Sequence, residues 1–172
     1  LRLAADNAPD IKRIEFDPDV FSGPDPVVIV GSQLTIASGL DLTISASEDN
    51  PVELRRRNPD TPGRVLNVED TANLELRNLT LNGNGQTADV QLSIAQGGVI
   101  RNAGQLSLYN VTVKNGAAQN GGGIYSSGQL TIGHSTISGN RSEGDGGGVY
   151  ARGSVVIEQS SFAGNRSFNG SG

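Results

Sequence analysis

The strongest constraint on this chain is an internal repeat in its second half. Gly98, Gly123 and Gly148 stand 25 residues apart, and each begins a tripeptide of the form Gly-Val-Ile, Gly-Ile-Tyr or Gly-Val-Tyr. An alternating apolar run follows each glycine. These runs centre on Leu106 and Leu108, on Leu130 and Ile132, and on Val155 and Ile157. Self-similarity at a fixed period indicates a solenoid, in which each repeat buries its apolar face against the next.

The apolar runs alternate with period two, which indicates strands. They are three to five residues long and are separated by one or two small residues, so a reversing turn has no room between them. If each repeat instead climbs one strand spacing, about 4.8 Å, every strand lies parallel to its counterpart one repeat later. The sequence therefore predicts an all-β, right-handed parallel β-helix with about 25 residues per coil; the strand-crossover rule favours the right hand.

The same pattern extends upstream in weaker form. Apolar alternation recurs at 40–44 and 74–81 with a spacing of 32, and the surplus residues form polar stretches that we expect to be loops. We expect about six coils over residues 27–172 and an N-terminal cap over residues 1–26. Within the cap, residues 1–8 are expected to form a short helix, and Ile14 with Phe16 one strand.

Polar residues also recur at equivalent positions of the repeats. Asn140 and Asn165 close the third apolar segment of two successive repeats. A second position is shared by Asn78, Asn110, His134 and Gln159. Side-chain amides stacked one per coil satisfy one another along the axis, so both sets are interpreted as structural ladders. For His134 we favour this reading over a catalytic one, because the sequence offers it no identifiable partner.

Composition excludes several functions. The net charge is −5 and only 4% of residues are aromatic, which disfavours nucleic acid as a partner. No run approaches the ~20 apolar residues of a membrane-spanning helix, so membrane insertion of this segment is not expected. Without Cys and with a single His, neither a disulfide nor a multi-His metal site is expected, and no cofactor is predicted. Glu143 and Asp145 offer few oxygens for calcium, and a solvated turn is favoured there.

The β-helix fold also hosts enzymes that degrade acidic polysaccharides. Such lyases need clustered Asp and a basic residue, and the hydrolases need paired carboxylates. The carboxylates here are dispersed over the cap, a corner and a Gly-rich loop. We therefore predict no enzymatic activity and keep a polysaccharide lyase or hydrolase as the less favoured alternative.

The repeat resembles a known group of proteins. Residues 122–125 and 147–150, with 137–140 and 162–165, resemble the GGxI and FxxN repeats of polymorphic outer-membrane proteins. The N-terminal residues are similar to the first residues of bacterial surface β-helix proteins, which begin with a CSLREA-type segment. The resemblance implies an extracellular or cell-surface location and a role as a structural passenger or adhesin. It also implies a host-surface or matrix glycan or protein as a partner.

The ends of the predicted β-helix raise a further expectation. The chain has no Met, so we expect a processed product or a fragment of a longer protein. It stops where another Gly-Gly-x-Ile would begin, with no amphipathic helix to cover the last coil. An open coil presents unpaired N–H and C=O groups, which invites a further strand to dock. Two hypotheses follow: a non-catalytic structural scaffold that self-associates end to end into a filament, and an adhesive passenger of a longer surface protein.

Overall fold

The structure is a computed structural model that describes residues 2–4, 11–23, 26–58, 63–85 and 94–170. These residues form 19 strands and no helix, so the all-β prediction is confirmed for them. The strands are β1 Arg2–Ala4, β2 Ile11–Glu15, β3 Val27–Val30, β4 Leu34–Ile36, β5 Asp41–Ser45, β6 Val52–Arg56, β7 Leu66–Val68, β8 Asn73–Asn82, β9 Ile100–Asn102, β10 Gln105–Lys114, β11 Ala117–Ala118, β12 Ile124–Ser126, β13 Gln129–Gly133, β14 Thr136–Ser138, β15 Arg141–Ser142, β16 Val149–Ala151, β17 Val155–Glu158, β18 Ser161–Ala163 and β19 Arg166–Ser167.

The strands assemble into three sheets. The long sheet has 11 strands in the order β1-β2-β5-β8-β10-β13-β17, with a second column of β3, β6, β14 and β18 beside them; the long strands β8 and β10 belong to both columns. A five-stranded sheet has the order β16-β12-β9-β7-β4, and a three-stranded sheet has the order β11-β15-β19. Every strand pair apart from β1 with β2 is parallel, as the repeat predicted.

The register follows the repeat. Leu74 pairs with Leu106, Leu106 with Leu130, and Leu130 with Val155, which gives offsets of 32, 24 and 25 residues. Alternate residues of a strand point to opposite faces, so this column places one apolar side chain per repeat on the same face. The larger first offset corresponds to the insertion between β8 and β9, part of which lies outside the described residues.

The apolar columns of the sheets share one core. Leu76, Leu108 and Ile132 belong to it and are at most 1% exposed. Burying a Leu or Ile side chain contributes roughly 1.5–3 kcal/mol, and each repeat buries its share against its neighbours. The stack is therefore stabilised mainly by contacts between successive repeats.

The repeated glycines stand where two backbone segments approach closely. A Cβ on Gly98 would lie 2.2 Å from the carbonyl oxygen of Gly122, and one on Gly123 would lie 2.6 Å from that of Gly148. On Gly148 it would lie 2.9 Å from the Asn165 side chain. At Gly98 and Gly123 the backbone of the adjacent repeat leaves no room for a larger residue, whereas at Gly148 the obstacle is the side chain of Asn165.

The N-terminal segment differs from expectation. The helix predicted over residues 1–8 is wrong for the described Arg2–Ala4, which form β1 and pair antiparallel with β2. A helix this short is marginal, whereas the free edge of β2 offers backbone partners to an extended chain. The predicted strand at Ile14 is confirmed as β2, and β2 pairs in parallel with β5. Phe16 follows β2 and donates its N–H to the Ser45 carbonyl at 3.0 Å.

Candidate functional site

The face formed by the last repeat is apolar and uncovered. Val155, Ile157 and Phe162 are 37%, 49% and 44% exposed. Their register partners one repeat earlier, Leu130, Ile132 and Ile137, are at most 1% exposed. The exposed side chains surround an open depression of about 480 Å³. These residues have the core-facing orientation, and none of the described residues forms a further repeat over them.

The opposite end of the stack is also apolar. A depression of about 550 Å³ opens there, with Phe16, Ile36 and Leu42 in its lining. Ile29 of β3 is 51% exposed and Leu34 of β4 is 39% exposed.

Among the described strands, β3 pairs only with β6 and β4 only with β7, so each has one free edge. At the far end, β18 pairs only with β14 and β16 only with β12. The long sheet and the five-stranded sheet thus each present a free parallel strand edge at both ends of the stack.

The predicted polar ladder adopts one unusual backbone conformation throughout. The φ angles of Asn78, Asn110, His134 and Gln159 are 55°, 53°, 50° and 46°, all in the left-handed region. Asn is among the few non-Gly residues that tolerate this region well. Asn110 Nδ2 donates to Asn78 Oδ1 at 2.9 Å, and Asn78 Nδ2 donates to the Ala46 carbonyl at 2.8 Å. The His134 ring lies edge-on to Tyr109, with the ring centroids 5.0 Å apart. The column marks a corner at which the chain turns within each repeat.

The Asn140 amide is buried inside the stack, and the partly exposed Asn165 amide takes the equivalent position in the next repeat. Asn140 is 1% exposed; its Nδ2 donates to the Val113 carbonyl at 3.1 Å, and its Oδ1 accepts the Gly116 N–H at 2.8 Å. Its Nδ2 also lies 3.0 Å from Asn165 Oδ1. Asn165 Nδ2 donates to the Ile137 carbonyl at 2.7 Å. Each amide therefore satisfies backbone groups of the preceding repeat at a turn that the sheets leave unpaired.

Two serines at the corner of the polar ladder, next to His134 and Gln159, were not identified from the sequence. Ser135 Oγ accepts the Val111 N–H at 3.0 Å, and Ser160 Oγ accepts the Ser135 N–H at 3.1 Å. Both hydroxyls thus bond a backbone amide of the preceding repeat. The available signal was a Ser directly after the ladder position in two successive repeats, 25 residues apart.

The carboxylate of Glu53, on the outside of the long sheet, is held between three side-chain donors. Glu53 Oε1 accepts from Asn82 Nδ2 at 2.9 Å and from Arg55 Nε at 2.5 Å, and Lys114 Nζ lies 3.0 Å from Oε2. Burial alone raises the pKa of the Glu53 carboxyl. The hydrogen bonds from Arg55, Asn82 and Lys114, together with the charge of Lys114, have the larger effect and hold this pKa below its usual value. This network joins three successive repeats of the stack.

The acidic loop after β15 forms bonds to the preceding repeat. Glu143 Oε2 accepts from Gln119 Nε2 at 3.1 Å, and the Asp145 N–H donates to Asn120 Oδ1 at 2.9 Å. In the part of the chain that the structure describes, His, Asp and Glu residues nowhere gather in threes to form a metal-binding group. None of the described residues belongs to a helix long and apolar enough to cross a bilayer.

The parallel ladders place the described residues in the all-β, solenoid-like class of folds. The chain matches no protein-family model, no curated protein and no solved structure. The resemblance to the repeats of polymorphic outer-membrane proteins stays a prediction.

Proposed function

We propose that the chain is a non-catalytic extracellular scaffold of a bacterial surface or secreted protein, and that it stacks end to end into a filament. The proposed unit is a closed, right-handed parallel β-helix of about six coils. The observation that carries the proposal is the match between the two ends, since both are apolar and both have free parallel strand edges in the same two sheets.

The apolar columns continue from one end to the other. In the five-stranded sheet one column begins at Leu34 and ends at Val149. In the long sheet one begins at Val28 and ends at Phe162. A second copy that places its β4 on β16 and its β3 on β18 extends both ladders. The contact joins unlike ends, so it does not close on itself and produces a filament.

The strand β1 restricts the geometry of this contact. It pairs antiparallel with β2 and so occupies the edge that β2 would otherwise offer to β17 of another copy. The contact therefore runs through β3 and β4, where the strand edges are free and Ile29 and Leu34 are exposed. Ile157 of β17 lines the same depression as Val149 and Phe162, so docking on β16 and β18 also buries the Ile157 side chain although β17 gains no strand partner.

The adhesive-passenger hypothesis makes a different use of the same apolar end. In that case the face around Ile157 is covered by further polypeptide of a longer surface protein, and the isolated chain stays monomeric. Within the described ranges, the arrangement of carboxylates does not favour the polysaccharide enzyme, which we do not propose.

The test compares two lysine variants of β17. Ile157 and Val156 are 49% and 50% exposed, but Ile157 pairs with core-facing Ile132 and Val156 with outward-facing Thr131. Electron microscopy and sedimentation velocity of the unmodified chain are expected to show filaments with a repeat of one subunit. Ile157→Lys is expected to leave monomers, because it places a charge in the docked interface, whereas Val156→Lys assembles normally. Monomeric unmodified chain, or equal assembly of both variants, overturns the proposal.

A further inference from the structure

Two arginines at the five-stranded sheet, Arg101 on β9 and Arg64 two residues before β7, form no ion pair with a carboxylate of the described residues. Arg101, on β9, alternates with the buried Ile100 and Asn102 and therefore points away from the core. Its Nη1 donates to Asn67 Oδ1 at 3.2 Å and its Nε to Gln96 Oε1 at 3.4 Å. Arg64 Nε donates to the Gly97 carbonyl at 3.3 Å. Every one of these acceptors is neutral, so neither positive charge is compensated by its bonds.

The two guanidinium groups converge on adjacent residues, since Arg64 bonds the carbonyl of Gly97 and Arg101 bonds the side chain of Gln96. Burial lowers the pKa of Arg64, and the positive charge of Arg101 lowers it further. Glu69 Oε1 accepts from Asn67 Nδ2 at 2.5 Å, so this carboxylate joins the network through the Asn67 amide and not through an ion pair with Arg101. Two partly buried like charges repel, so an oxyanion bound between Arg64 and Arg101 relieves the repulsion and replaces lost hydration.

A pair of tyrosines continues the same outer column. Arg101 pairs in register with Tyr125, and Tyr125 with Tyr150. The two rings are stacked, with centroids 5.5 Å apart and planes 23° apart. Arg152 lies beside the tyrosines, and Tyr125 in the first place, with Tyr150, raises the pKa of its guanidinium. At a strand spacing of about 4.8 Å, Tyr150 stands about 10 Å along the stack from Arg101. We call Arg64, Arg101, Tyr125, Tyr150 and Arg152 the arginine–tyrosine stripe.

We propose that the arginine–tyrosine stripe binds an acidic polysaccharide, with carboxylate or sulfate groups on Arg64 and Arg101 and a sugar ring against the partly exposed Tyr150. The planar guanidinium pairs with such oxyanions through two parallel hydrogen bonds. A nucleic acid is disfavoured, because successive bases stack on several open aromatic faces. Tyr125 is 4% exposed and stacked on Tyr150, which leaves Tyr150 as the one accessible ring of the stripe. The stripe lies on the side of the stack, so this binding goes beyond end-to-end assembly and does not depend on it.

The test measures binding by titration calorimetry at low salt. The probes are an oligogalacturonate for carboxylates, a sulfated dextran oligomer for sulfates, neutral dextran, and single-stranded DNA of similar charge. We expect one or both acidic glycans to bind and neutral dextran not to bind. The double variant R64Q/R101Q should weaken glycan binding at least about tenfold, since it removes two charge-assisted contacts. The control K12Q/R13Q makes the same charge change on β2 and should alter binding less than about twofold.

Several results overturn the proposal: no binding of either acidic glycan, equal weakening in both double variants, or single-stranded DNA binding as tightly as the glycans. A second measurement needs no variant and so does not depend on how R64Q/R101Q folds. In the unmodified protein, the acidic glycan that binds should shift the Nε–Hε NMR signals of Arg64 and Arg101 more than that of Arg13. Unshifted signals of Arg64 and Arg101 contradict the assigned site.

Discussion

Gly128 faces the carbonyl group of Gly104 so closely that a Cβ on Gly128 would lie 1.9 Å from that oxygen. The same contact recurs one repeat later, where a Cβ on Gly153 would lie 2.0 Å from the Gly128 oxygen. The obstacle in each case is backbone, which cannot rotate away as a side chain would. The glycines of this column therefore set how closely successive repeats stack.

Replacing Gly128 by Ala should destabilise the protein. We expect Gly128→Ala to cost at least about 2 kcal/mol, because the added methyl group forces adjacent repeats apart. Gly133→Ala is the matched control, since the nearest atom to its added Cβ is Tyr109 Cδ2 at 3.6 Å. The control should be neutral or stabilise by about 0.5 kcal/mol. Urea unfolding of both variants measures the difference, and equal stabilities would refute the close-approach explanation.

Neighbouring residues of β13 should respond oppositely to charge. Ile132 is completely buried, whereas Thr131 is exposed on the outer face. Ile132→Asp is expected to cost several kcal/mol, on the order of 3 or more, because it buries a carboxylate without a partner. Thr131→Lys should change stability by no more than about 0.5 kcal/mol. Thermal melts followed by circular dichroism distinguish them, and similar melting temperatures would mean that the inward face of β13 is misassigned.

Removal of the Asn140 amide should be costly as well. Asn140→Ala leaves the Val113 carbonyl and the Gly116 N–H without their partner inside the stack. Two unsatisfied backbone groups are expected to cost about 2–4 kcal/mol in total. Asn73→Ala removes an exposed amide that bonds only the Asp41 side chain, and it should cost about 0.5 kcal/mol or less. The prediction fails if the two alanine variants unfold at the same denaturant concentration.

The Glu53 network predicts a pH dependence of stability. The folded protein holds the pKa of Glu53 below its usual 4.5, so the carboxylate stabilises the fold fully above that value. This contribution is lost as the pH falls from about 4.5 through the lower folded pKa. Because solvent screens the network, we expect a contribution of about 1 kcal/mol or less. The stability difference between the unmodified chain and Glu53→Gln should shrink between pH 6 and pH 3. A difference that stays constant or grows with acid would show that the network does not depress the pKa.

The repeat made most of the fold predictable. All-β structure and parallel pairing were predictable, because they follow from the repeat period and the strand length. The evidence was the spacing of Gly98, Gly123 and Gly148 and the apolar alternation around Leu106 and Leu130. The helix predicted at the N-terminus was wrong for the described residues 2–4, since a free strand edge outweighs the weak propensity of a short segment.

Features that depend on contacts between distant residues were not predictable. Val111 donates its N–H to Ser135 Oγ, 24 residues later in the chain. That N–H needs a side-chain acceptor because it lies at the turn of the preceding repeat. Arg64 and Arg101 are 37 positions apart in the chain, and only the stacking of β9 on β7 brings their charges together. A sequence pattern identifies which residues share a strand face, but it does not show which polar groups lack partners.

The parallel register between successive repeats is tested most directly by disulfide formation between introduced cysteines. The chain has no natural Cys, so any crosslink formed comes from the chosen pair. Thr112 pairs with Thr136, and Thr136 with Ser161, so Thr112 and Ser161 stand two strand spacings apart, about 9.6 Å. A disulfide does not bridge Cα atoms more than about 7 Å apart. We predict rapid oxidation of T112C/T136C to an intramolecular disulfide and none in T112C/S161C; the reverse result, or equal rates, contradicts the stacked parallel register.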